Sequence, residues 1–132
     1  MRRRGTRRNR AMIERLAELV NDDPWLVKRG RRLNVTFAIG VGDVDYLIRI
    51  IDGRIAEIEK GPHVMRAWTF AIRAASETWE TFWQPVPPPG YHDVFALLRK
   101  RLIAFEGDLQ PMMAHLLYIK LLLAKPRELA GA

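Results

Sequence analysis

Three histidines, a single serine and 15 acidic residues are the main side chains from which this chain could assemble a reactive centre, and it has no cysteine. A metal site needs histidines, acids or thiolates at short, recognisable spacing. His63, His92 and His115 stand far apart, with no HExxH motif or paired spacing, so no metal site is expected. His92-Asp93 reads as the start of a helix, a capping role, rather than as a metal-binding pair. Ser76 lies in no G-x-S-x-G context and reads as a helix cap, which leaves nucleophilic catalysis little to work with. The glycines of AIGVGD, residues 38–43, lack the Gly-Lys-Ser/Thr of a phosphate-binding loop and the strand-to-helix setting of a dinucleotide fingerprint, and read as a hairpin. Glu57 and Glu59 share a strand face beside Arg54 and Lys60, the arrangement of a solvated surface. No catalytic residue and no cofactor follow from this inventory.

What the chain does carry is apolar side chains where polar ones are the norm. Leu109, Met112, Met113, Leu116 to Ile119 and Leu121 to Leu123 leave only Gln110, His115 and Lys120 to interrupt an otherwise apolar final helix. A surface helix presents a polar face. This one is therefore buried in the core, lines a cavity, or forms a subunit interface. It would be about 24 Å long at 1.5 Å per residue, short of a membrane span. Trp79, Phe82 and Trp83, at i, i+3 and i+4, give a short helix one aromatic face that suits core anchoring first and a pocket wall second. Met112-Met113 suit a plastic pocket wall and core gap-filling equally.

The elements that must position these residues follow from periodicity. Met12, Ile13, Leu16, Leu19 and Val20 recur at helical spacing, and Asp23-Pro24 opens a second short helix that Gly30 closes. Leu33, Val35, Phe37, Ile39 and Val41 alternate with small or polar residues, and turns at 40–43 and at Asp52-Gly53 make a three-strand meander through 44–51 and 54–60. A fourth strand is expected with Val64, Trp68, Phe70 and Ile72 on one face. PVPPPG reads as a stiff extended connector, a helix follows from His92 or Asp93, and a short strand over 102–106 precedes the final helix, with Asp108 as its cap. The expected fold is α+β: a single curved, mostly antiparallel five-stranded sheet with helices packed on one face.

Length and charge bound the rest. At 132 residues the chain fits one domain, and 48% apolar with 28% charged residues is a globular composition. Six of its 22 basic residues are arginines within the first ten positions, leaving 16 basic against 15 acidic elsewhere. The expected organisation is a basic flexible arm over 1–10, one domain over 11–125 and a tail over 126–132. Absence of cysteine and of a signal-peptide core points to the cytoplasm, and the location of the charge in an arm argues against a specific nucleic-acid face.

The stretches YLIRIIDGRI, WTFAIRAASETWETFW and FEGDLQPMMAHLLYIKLLLA, in this order, resemble the sterol carrier protein lipid-binding domain family over roughly residues 33–124. They match its strand–DG–strand unit, its strand-to-helix passage and its G-D-L turn before the last helix. The resemblance implies a noncatalytic carrier of a fatty acid, acyl thioester or sterol-like lipid, held between sheet and C-terminal helix. Candidate lining residues are Trp68, Phe70, Trp79, Phe82, Trp83, Phe105, Met112, Met113, Leu116 and Ile119, with Arg66, Arg73 and His115 as candidate head-group contacts. The arginine arm would touch anionic membranes transiently. The rival readings are a homodimeric interaction module without a ligand and an enzyme acting on a hydrophobic substrate through His92, Asp93 or His115.

Overall fold

The computed structural model describes residues 2–61 and 67–130. Helices α1 (Arg2–Glu14), α2 (Leu16–Asn21) and α3 (Pro24–Arg29) lead into β1 (Asn34–Val41), β2 (Val44–Ile51) and β3 (Arg54–Lys60). After β4 (Phe70–Ala74) and α4 (Ser76–Phe82) come α5 (Val94–Arg99), β5 (Ile103–Gly107), α6 (Gln110–Ala114), α7 (Leu116–Ala124) and α8 (Arg127–Ala130). The start of α3 follows from local chemistry: Asp23 accepts a 3.1 Å bond from the Leu26 N–H, and Pro24, lacking an N–H, occupies the first turn.

The meander forms as its alternation predicts, and the sheet is mixed, in the order β3-β2-β1-β4-β5. β4 runs parallel to β1, while the other neighbours are antiparallel. Register pairs Phe37 with Ile48 and Phe70, and Ile39 with Tyr46 and Ile72, so the large residues share one face. The Phe37 and Phe70 rings stack at 4.9 Å there, inside the main core. The opposite face carries Thr36, Ala38, Leu47, Ala71 and Arg73. Asp52 and Gly53 turn the β2–β3 hairpin with φ of 52° and 82°, the pair of positive values a tight hairpin needs.

Several contacts lie outside what local pattern predicts. Residues 2–10 lie within α1, and Asn9 is buried, donating through Nδ2 to the Ser76 backbone oxygen and hydroxyl oxygen, each at 2.9 Å. A run of arginines conceals the anchor, because Asn9 has no apolar signature. Ser76 therefore receives α1 instead of capping α4, whose cap residue is Ala75. After residue 125 the described chain forms α8. Arg127 donates to the carbonyls of Phe82, Tyr91 and His92 at 2.8, 3.1 and 3.1 Å, clamping the proline-rich connector to α8. The final helix is broken at His115 (φ −125°, ψ 41°) into α6 and α7. A helix apolar on every side has no phase from which a break can be read.

β4 also starts later than expected, at Phe70. The Thr69 N–H donates to the Thr36 carbonyl and the Asp108 N–H to the Thr69 carbonyl, at 2.8 and 2.9 Å. Alternation does not extend back through this junction, and Trp68 lies on the opposite face from Phe70, against Ala38, Leu47 and Ala71. Val64 lies outside the described residues.

Candidate functional site

The structure gathers six of the expected lining residues into one cluster between sheet and C-terminal helices. Phe70, Trp79, Met112 and Ile119 are fully buried, and Phe82 and Trp83 are 1% exposed. Their polar atoms are satisfied: Trp79 Nε1 donates to the Gly40 carbonyl and Trp83 Nε1 to the Leu123 carbonyl, both at 2.8 Å. The two indoles stack at 5.0 Å, with Phe82 edge-on to Trp79 at 5.8 Å. In this state the aromatic face of α4 is core, held by its own chain.

Phe105 and Leu116 sit half-buried at the margin of the cluster, and Phe105 meets Phe95 edge-on at 5.7 Å. Met113 and Leu117 instead face outward, 45% and 47% exposed, on either side of the break at His115. The His115 Nδ1 atom is buried with no hydrogen-bond partner. A buried imidazole nitrogen without a partner costs free energy, about 1 to 3 kcal/mol for a neutral polar group, unless something supplies the missing bond. Apolar side chains that water touches thus stand beside a polar atom that water does not reach at the α6–α7 break. Leu117 was not among the expected site residues; only the kink separates it from its buried neighbours.

Two expected site residues, Arg73 and Trp68, lie on the other face of the sheet. Arg73 occupies the opposite sheet face from α7, where its guanidinium pairs with Asp45 and, at 3.0 Å, with Glu106, and lies 5.6 Å from the Trp68 ring. Parity places it there, since Phe70 and Ile72 of the same strand face the helices. Arg66 lies outside the described residues. On that opposite face a hollow of about 460 Å³ is lined by Trp68, Asn34, Thr36 and Arg49 among others, and a smaller one of about 270 Å³ shares Thr36, Arg49 and Ala67 with it. The alternating Thr36, Leu47 and Arg49 were the available signal for this second lined face.

The titratable groups do not converge. Asp93 accepts from the Phe95 N–H at 2.9 Å and pairs with Lys120 at 2.7 Å. Burial works against its charged form, but these bonds prevail and lower its pKa. His92 is exposed. Among the described residues no group of three or more metal-binding side chains is placed to hold an ion, and no helix is long and apolar enough to cross a membrane.

No protein-family model matches the sequence, and no curated protein matches it. Solved structures do. A sterol carrier protein 2 superposes with a TM-score of 0.72 at 16% identity, covering 89% of this chain and 95% of its own. A conserved hypothetical protein of Thermus thermophilus, described as possibly a sterol carrier protein, gives 0.66 at 16% identity, covering 91% and 87%. A UbiJ-SCP2 ubiquinone synthesis protein gives 0.56 at 14% identity, covering 92% of both chains. These superpositions extend over 89 to 92% of the chain, which has the sterol carrier protein 2 fold.

Proposed function

We propose that the chain is a noncatalytic carrier that binds one apolar molecule between the sheet and α6–α7, entering at the His115 break. The observation that carries this reading is the pairing of exposed Met113 and Leu117 with the partnerless, buried His115 Nδ1. Phe105, Leu116, Met112 and Ile119 form the wall behind them, and the ligand takes their packing contacts as α6 moves outward, its one fully buried side chain being Met112. His115 receives or donates the single polar bond of the head group.

The named fold relatives and energetics support an apolar class of ligand. A fatty acid, acyl thioester, sterol or isoprenoid quinone is mostly hydrocarbon. Burying about 14 methylenes contributes roughly 11 kcal/mol gross at about 0.8 each, against about 8 for micromolar affinity. Binding of this kind tolerates varied head groups. The arginines of α1, with Arg7 and Arg8 exposed, give the carrier a basic helix for transient contact with anionic membranes in the cytoplasm.

The test is mass spectrometry of lipid co-purifying with the native protein, followed by titration with a fluorescent fatty acid and displacement by acyl-CoA, sterol and quinone. One saturable site per chain is expected. Absence of saturable binding across all four classes overturns the proposal. The exposure of Met113 and Leu117 favours one second reading, a homodimer joined through α6–α7. Analytical ultracentrifugation separates the two: a ligand-free dimer that Leu117→Asp converts to monomer supports the dimer instead.

A further inference from the structure

Away from the α6–α7 break, the pole formed by α3 and the β2–β3 turn has a composition that the near balance of charge after residue 10 conceals. Trp25, Lys28 and Arg29 lie at i, i+3 and i+4 on the outer side of α3, and Arg31 and Arg32 follow at once. All five are exposed, as is Arg54 just after the turn. None of the five cations forms an ion pair with a carboxylate among the described residues. The base beneath them is rigid. The Arg32 N–H donates to Asp52 at 2.7 Å, the Asp52 N–H donates to Asn34 at 3.0 Å, and Gly53 lies so close that a Cβ on it would stand 2.4 Å from the Val27 carbonyl oxygen.

Trp25 is 53% exposed, with the Arg29 guanidinium 4.4 Å over its ring. It also borders a hollow of about 150 Å³ with Leu26, Leu121 and Ala124, at the seam between α3 and α7. Base stacking needs an open ring face, whereas here the Arg29 guanidinium lies over one face of the indole. An exposed indole among unpaired cations is instead the chemistry of a lipid headgroup layer, where tryptophan sits at the interface and basic residues meet anionic lipid.

We infer that this pole docks on anionic lipid surfaces, with Trp25 seated among the headgroups and Lys28, Arg29, Arg31, Arg32 and Arg54 meeting their charge. This surface is separate from the α1 arginines and does not depend on what the chain carries. Each cation near an anionic surface strengthens binding roughly fivefold at low salt.

The experiment is co-sedimentation of the full chain with phosphatidylcholine vesicles, with and without phosphatidylserine, at low and high salt. Binding is expected only with phosphatidylserine, weakening in salt. Lys28→Glu/Arg31→Glu should reduce it about tenfold or more. Trp25→Ser should weaken it and abolish the blue shift of tryptophan emission on vesicle addition. Circular dichroism and the melting temperature confirm that both variants fold. Fluorescent fatty acid uptake without vesicles should be unchanged in Lys28→Glu/Arg31→Glu, so failure of the carrier reading is scored separately. Equal vesicle binding by wild type and Lys28→Glu/Arg31→Glu overturns the inference. So does binding lost only on Arg7→Glu/Arg8→Glu, absence of vesicle binding, or tighter binding of a single-stranded oligonucleotide through the same residues.

Discussion

The Tyr118 hydroxyl on α7 donates a 2.6 Å hydrogen bond to the Gly53 carbonyl in the β2–β3 turn, across 65 residues of sequence. Its ring leaves no room at Gly30, where a Cβ would stand 2.4 Å from Tyr118 Cε1, so the final helix, the end of α3 and the hairpin meet at one point. Burial raises the Tyr118 pKa well above its ordinary value, which keeps the hydroxyl a donor at neutral pH.

Tyr118→Phe should leave the Gly53 carbonyl without its buried partner and lower the unfolding free energy by about 1 to 3 kcal/mol. Gly30→Ala should cost a comparable amount by overpacking, and the two effects should not add, because pushing the ring away from Gly30 also disturbs the bond of its hydroxyl to Gly53. Denaturant unfolding of the two single variants and the double variant measures the coupling.

Met113 and Ile119 should respond in opposite ways to the same enlargement. Met113→Trp falls on an exposed position and should change stability by less than about 0.5 kcal/mol while obstructing ligand entry, weakening fluorescent fatty acid binding about tenfold or more. Ile119→Trp enlarges a fully buried side chain and should destabilise by about 1 to 3 kcal/mol or more. If Met113→Trp leaves binding untouched, the entrance does not lie at the His115 break.

Acid should release the contact between α3 and α7. Lys125 bonds Asp23 at 2.7 Å, and this, with the Leu26 N–H, holds the Asp23 pKa below its ordinary 3.8. The unfolded chain therefore takes up a proton more readily, so the contribution is complete above 3.8 and disappears as pH falls through the lower folded value. Asp23→Asn retains a capping side chain but loses the charge. Its melting temperature should fall less steeply than that of the wild type between about pH 5 and pH 2; identical slopes would exclude Asp23 as the group responsible.

Asn9 should govern whether the arginine-rich start is docked. Asn9→Ala removes both bonds to Ser76 and should cost about 1 to 2 kcal/mol. Limited trypsin digestion should then cut after Arg10 faster than in the wild type, whereas equal rates would mean that α1 is held by Met12 and Ile13 alone.

Much of the fold was legible because it rests on local pattern. Strict alternation in β1 determines which residues face the core, Asp52-Gly53 suits the turn it makes, and Asp23-Pro24 and Asp93 open their helices as capping chemistry requires. The order of these elements, with the EGDL turn before an apolar helix, was enough to anticipate a sterol-carrier-like architecture.

What pattern could not supply are relations across long sequence separation. Asn9 finds Ser76 across 67 residues, and Arg127 reaches carbonyls 35 to 45 residues away, so neither segment announces itself as docked. Strand parity placed Arg73 away from α7 and the bend at Thr69 did the same for Trp68, while the kink at His115 divided an apolar run into buried Met112 and Ile119 and exposed Met113 and Leu117. Hydrophobicity says that a side chain will seek cover; only the packed chain determines which side chains find it, because burial is settled by geometry among distant segments.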